Sequence, residues 1–254
     1  MFRFVSVFVA SFFLSIHFGT ILYVNSSLLG KFFEPETVSL FFLFGALGTI
    51  LLFLFAPKLI EQFGKRLILF FFLVLTAANT FSLALASTSW VVALSFIVYA
   101  TFLPMIFYCL DIFLEELSLD TGTGEIRGAY LTFVNLGIAL GPFIIVILAK
   151  EDIFRPIYLT ALFLLIPPIL LALFSFKSQF PKKYEPYHHS PRLPFKLWWR
   201  NRNVRQATLA RLTLEFFFAF MVIYTPIYLY SSLGFEWSEL GFIFTIMLLP
   251  FVLL

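Results

Sequence analysis

The residues of this 254-residue chain that come nearest to a reaction centre are four carboxylates, Asp111, Glu115, Glu116 and Asp120. Acids about one helical turn apart can hold a divalent cation, so the run could serve a metal-dependent enzyme working inside a membrane. Such chemistry wants a second acidic cluster on a neighbouring helix, and the sequence has none. Asp111 reads better as the partner of a cation, Arg66 or Arg127, with the later acids in a solvated loop. His17 is the second candidate. It lies well inside an apolar run with Ser6 and Thr20 near its face, where a charged ring is costly. It is either a proton-coupling group or a neutral hydrogen-bonded ring. Arg211 and Glu215 stand four residues apart, the spacing of an ion pair within one membrane helix, with partial exposure by snorkelling as the simpler account. The single cysteine, Cys109, sits in an apolar run and excludes both a disulfide framework and a cysteine metal site. No metal and no cofactor is expected.

What must position these groups is a bundle of membrane helices. Hydrophobic residues make up 61% of the chain and charged residues 12%, with a mean hydropathy of +0.99. A water-soluble domain runs near about 45–50% apolar and about 25% charged, so a soluble fold is excluded. Water could not wet a surface built with 38 Phe, whereas lipid accepts Phe on every outward face. The net charge of +3 is read as Lys and Arg held at a membrane surface, and nucleic acid is not expected as a partner.

Apolar runs of about 18 to 22 residues place spans near Phe4 to Tyr23, Val38 to Phe55, Leu67 to Leu85, Trp90 to Leu110, Gly128 to Ala149, Tyr158 to Phe176 and Thr208 to Tyr230, with an eighth opening at Leu240. The first run is long for a signal peptide and lacks a small-x-small cleavage site, so it counts as a span. Putting the N-terminus in the cytoplasm leaves only Lys31, Lys150 and Arg155 outside, which fixes a multi-pass orientation in the inner (plasma) membrane. Residues 1–176 then form a six-helix bundle, 177–206 a basic, Pro-rich cytoplasmic linker able to adhere to lipid headgroups, and 207–254 the start of a second bundle. Tyr230-Ser-Ser-Leu-Gly followed by Glu236 echoes Tyr23-Val-Asn-Ser-Ser-Leu-Leu-Gly followed by Glu34, as though the first span begins again. A chain that stops in mid-membrane at Leu254 leaves carbonyls unpaired in hydrocarbon, so a cut within a longer protein is expected.

Within the spans, helical spacing sorts the polar residues. Gly137 and Gly141 share one face of the fifth span, while Gly128, Thr132, Asn135 and Pro142 lie on the other, and close helix packing at Gly137, Gly141 and Pro142 is the expected use. Thr101, Pro104, Tyr108 and Asp111 form a stripe that should face the bundle interior. Thr213, Tyr224, Tyr228 and Ser231 form another, subject to a kink at Pro226.

The most specific segment is Lys58-Leu-Ile-Glu-Gln-Phe-Gly-Lys-Arg66, read as a charged turn between two spans. Gly64 can take positive φ in the reversal, and Lys65 with Arg66 fix its side of the membrane. Glu61 sits at a helix C-terminus, where the dipole disfavours an anion and a cationic or N-terminal partner is needed. With the spans, linker and echo, this hairpin resembles the major facilitator superfamily of secondary transporters. The family's loop runs Gly-x-Leu-x-Asp-Arg-x-Gly-Arg-Lys, and Pro57, Leu59, Glu61, Gln62, Gly64, Lys65 and Arg66 occupy its places. Pro57, Glu61 and Gln62 depart from the pattern. The resemblance implies an all-α helical bundle, here the N-terminal half plus helix 7 and the start of helix 8, and transport of a small organic solute by alternating access, with protons as a coupling partner. A monomer and no enzymatic activity are expected. It implies a gate on the hairpin side built from Glu61, Gly64, Lys65, Arg66, Asp111 and Arg127, with the distant partner of Glu61 beyond Leu254. It also implies a central cavity lined by His17, Thr20, Thr101, Tyr108, Tyr224 and Tyr228, with Asn135 from the fifth span. A non-transporting receptor of the same fold is the remaining alternative.

Overall fold

Apolar runs become helices in a membrane because hydrocarbon offers the backbone no water, so each N–H and C=O must pair within its own segment. The computed structural model describes residues 2–117, 123–148, 154–176 and 199–253, and among these every regular element is helical. α1 (Phe2–Leu22) and α2 (Val24–Gly30) form one rod interrupted at Tyr23. α3 (Pro35–Phe63), α4 (Lys65–Leu85), α5 (Ser89–Leu117) and α6 (Thr123–Leu148) follow. α7 (Arg155–Leu164) and α8 (Ile166–Phe174) are one span broken at Leu165, just before Pro167 and Pro168 remove two N–H donors. α9 (Arg202–Ser231), α10 (Trp237–Leu248) and α11 (Pro250–Leu253) complete the described chain. Among the described residues seven rods are long and apolar enough to cross a bilayer, and α10 is a shorter apolar helix.

Successive spans reverse direction, which gives the bundle a hairpin side, marked by Gly64 and the starts of α1, α6 and α9, and a far side, marked by Gly30 and Gly234. Within the first six spans, α1 packs against α5, α6, α7 and α8, while α3 and α4 both pack on α5. α1 and α2 are central: 67% of their most apolar window is buried, against 11% for α3 and for α9, whose Leu and Phe side chains are left to lipid. α9 packs on α2 and α3, and α10 on α6.

The helices overrun the apolar windows, and this corrects three expectations. α3 continues through Pro57 to Phe63, so Lys58 to Gln62 are helical and the reversal is confined to Gly64, at φ 79° and ψ 142°. α5 runs on to Leu117, so Glu115 and Glu116 lie on a helix and not in a loop. α9 begins at Arg202, inside the stretch read as linker, where the Asn201 side chain accepts from the backbone N–H groups of Asn203 and Val204 and caps the helix. Apolarity marks depth in the bilayer, whereas Lys, Glu, Gln and Arg are good helix formers that carry a helix past the headgroups. Residues 177–198 of the linker, Asp120 and Lys150 lie outside the described residues.

Candidate functional site

The two sides of the bundle differ in how α9 and α10 meet the first six spans. On the far side they close tightly. Small residues let three backbones converge: a Cβ on Gly141 would collide with the backbone of Gly19 and Thr20, one on Gly137 would lie 2.8 Å from the Phe12 carbonyl oxygen, and one on Gly241 of α10 would lie 2.7 Å from the Pro142 carbonyl oxygen. Above this seam the Tyr23 and Phe244 rings stack at 3.9 Å and 11°, and Trp237 is held between Phe154 and Tyr230. α9 is tied down by two hydroxyls. Ser26 donates to the Val222 carbonyl at 3.2 Å, and the Tyr224 hydroxyl meets Ser39 Oγ at 2.6 Å. Because Ser39 donates to the Pro35 carbonyl, Tyr224 is the donor in that pair. Tyr224→Phe is expected to weaken far-side closure by about 0.5–1.5 kcal/mol, read as faster reaction of a far-side cysteine with a membrane-impermeant thiol reagent.

On the hairpin side α9 has no hydrogen bond to the first six spans among the described residues. The stretch of α9 from Leu209 to Phe220 is exposed at every position. In the corresponding halves of α1 and α6 lies a cleft of about 620 Å³, walled by Phe4, Phe8, Phe12, Phe13 and Phe133 with Glu125 at the first turn of α6. Phe8 and Phe12 meet Phe133 edge to face at 5.5 and 6.2 Å. Two polar pairs lie along α6, and the Tyr130 ring of the first meets Phe8 of the wall at 6.0 Å. Ser11 donates to the Tyr130 hydroxyl at 3.3 Å, and Arg127, one turn before Tyr130, stands 3.9 Å from the Asp111 carboxylate. Ser11 and Tyr130 were missed in the sequence, although Tyr130 follows Arg127 by three residues and Ser11 lies between Phe8 and Phe12 along α1.

The basic residues of the hairpin act inside the first six spans. Lys65 is buried, pairs with Glu116 and lies 4.5 Å above the Phe113 ring, which joins the start of α4 to the end of α5. Arg66 donates through Nε to the Ala172 carbonyl at 2.9 Å and through Nη2 to the Leu173 carbonyl, two acceptors left over at the end of α8. Asp111 therefore takes Arg127, and the alternative partner Arg66 is engaged elsewhere. Arg66→Lys keeps the charge and loses the planar fork. It is expected to cost about 1–2 kcal/mol in detergent stability, measured by thermal denaturation. Glu61 is exposed and forms no ion pair among the described residues.

The residues expected to line a cavity separate into three groups. His17 and Thr20 are fully buried in helix packing. His17 Nδ1–H donates to the Ala161 carbonyl at 2.8 Å, which leaves Nε2 to accept from the Tyr99 hydroxyl at 3.3 Å. The ring thus ties α1 to α7 and α5 and is not on a cleft wall. The Thr20 hydroxyl donates back to the Ile16 carbonyl beneath Gly141. Thr101 and Tyr108 belong to the seam between α3 and α5, Thr101 against Gly48 and the Tyr108 ring 5.5 Å from Phe53. Tyr224 holds the far-side closure, Tyr228 is exposed one turn further on, and Asn135 is half-buried just beyond Phe133 on α6. Arg211 and Glu215 pair along the exposed half of α9. Among the described residues no group of three or more His, Cys, Asp or Glu could hold a metal ion, and Asp111 and Glu116 are each matched with a cation.

The chain is a polytopic helical membrane protein whose far side is closed around glycine contacts. The chain belongs to the Major Facilitator Superfamily, which it matches over residues 3–254. No curated protein matches it. Members of the superfamily are in general transporters and not enzymes, and membrane transport of a solute is the function this membership supports.

Proposed function

We propose that the protein carries a small organic solute across the plasma membrane by alternating access, with its hairpin side and N-terminus in the cytoplasm. The observation that carries the reading is the asymmetry about α9: its far half is bonded to Ser26 and Ser39 while its hairpin half, Leu209 to Phe220, is exposed. Rocking α9 and α10 about the glycine seam would open one side as the other closes. The solute meets the cleft between α1 and α6, and the residues of the closure, Tyr224 among them, separate it from the other side. Coupling to protons is assigned to Asp111, Arg127 and Tyr130, of which Tyr130 meets Phe8 of the cleft wall edge to face at 6.0 Å. His17, whose two ring nitrogens are both engaged in the packed interior, is left with a structural role.

Uptake into proteoliposomes tests this. Saturable uptake or counterflow of an organic solute, weakened when Phe12 and Phe133 are both changed to Ala, is the expected result. Binding of a solute with no counterflow would instead indicate a receptor of the same fold.

A further inference from the structure

We propose that Trp237 keeps the far side able to reopen: its indole N–H is buried without a partner in the closed face, and this holds that face close to balance with an open one. The device rests on the alternating-access reading and adds what stops the closure from locking.

Trp237 is 5% exposed, and its Nε1 has no hydrogen-bond partner among the described residues. What surrounds the indole is ring carbon. Phe154, just before α7, meets it edge to face at 5.2 Å and 88°, and Tyr230, at the end of α9, lies beside it at 5.5 Å and 31°. Lys31, which follows α2, stands 4.4 Å from the centre of the Phe154 ring and ties that ring to the first six spans. Rings accept an N–H only weakly, so they do not replace the water the indole gives up. The nearest carboxylates are spent on the backbone: Glu236 and Glu239 form a capping box at the start of α10, with Glu239 accepting from the Glu236 N–H at 2.9 Å.

The two ring neighbours move differently when the far side opens. Phe154 stays with the first six spans, whereas Tyr230 travels with α9 and α10. Drawing α10 away therefore breaks the Phe154 contact and lets the indole N–H reach water. Ser26, Tyr224 and the Tyr23–Phe244 stack all lose partners in that step. The Trp237 N–H runs the other way, because it is satisfied only when the face is open.

The test uses Leu240→Cys, a fully buried position one turn after Trp237, with Cys109 changed to Ala. Its reaction with a membrane-impermeant maleimide added to the far side of proteoliposomes reports opening. Incorporating the tryptophan analogue benzothienylalanine at Trp237 keeps the bicyclic ring and puts sulfur in place of the N–H. It is expected to slow the reaction about tenfold, the cost of one unpaired buried donor being removed from the closed face. Trp237→Ala, which loses the ring contacts as well, should speed it. An unchanged or faster reaction with the analogue would overturn the proposal, and counterflow of an organic solute in the same vesicles would show that transport stands without it. A slower reaction with the analogue and no counterflow of any solute would leave the device in place and sink the transport reading. If Leu240→Cys reacts neither beside the native Trp237 nor beside Trp237→Ala, the far face does not open and both fall.

Discussion

Gly141→Leu is expected to lower the stability of the purified protein by at least about 3 kcal/mol, seen as loss of the monodisperse peak in detergent after mild heating. The reason is the identity of what the new side chain would meet. A Cβ at Gly141 falls on the backbone of Gly19 and Thr20, and a Cβ at Gly19 would in turn fall on the Ile138 carbonyl. Backbone cannot rotate out of the way as a side chain can, so α1 and α6 would have to separate along their longest shared contact. Separation there also moves Pro142, on which Gly241 of α10 is seated, and so disturbs the far-side closure. Gly128 of the same helix is the control. A Cβ there meets nothing within 4 Å, and Gly128→Ala is expected to be neutral or to stabilise by up to about 1 kcal/mol through helix propensity. Equal stability of Gly141→Leu and the parent protein would show that the two helices do not cross at this point.

The second large effect is expected at His17. His17→Leu should cost about 2–4 kcal/mol, because two buried polar groups lose their partner inside an apolar interior. One is the Tyr99 hydroxyl and the other the Ala161 carbonyl. The carbonyl owes its freedom to the break between α7 and α8: the N–H of Leu165 bonds to the Leu162 carbonyl, one residue closer than a regular helix would have it. His17 supplies the donor that the broken span cannot. Its role is then to hold the first and sixth spans in register, and His17→Gln, which can still donate and accept, should retain part of the stability. Uptake per folded molecule should survive in that variant with its dependence on a proton gradient unchanged. Loss of gradient dependence with stability intact would contradict the structural role.

The sequence made the spans legible because membrane depth is written in apolar runs, and Leu67 to Leu85 is nearly the whole of α4. It made the helix ends much less legible. Lys58 to Gln62 and Glu115 to Leu117 are polar or follow polar residues, yet remain helical, since a helix leaving the bilayer needs only residues that tolerate helical backbone. The glycine spacing on the fifth span could be read as packing, but the partners Gly19 and Gly241 could not, because nothing local says which helix will arrive. The polar candidates were the least legible. A histidine or threonine in an apolar run looks the same whether it faces a cleft or a neighbouring backbone, and the difference for His17 lay in a carbonyl 144 residues away. The aromatic cleft was hidden for the opposite reason: in a chain with 38 Phe, five that share a wall carry no distinguishing mark.

The measurement that bears most directly on alternating access is two-sided labelling of Val9→Cys, in the cleft wall, on a background with the buried Cys109 changed to Ala. A membrane-impermeant maleimide applied to vesicles of known orientation should react with Val9→Cys from the hairpin side and not from the far side. Reaction from the far side at a comparable rate would mean that the contacts of Tyr23, Ser39 and Gly241 do not close that face, and the account of the cleft as one end of an alternating pathway would fall.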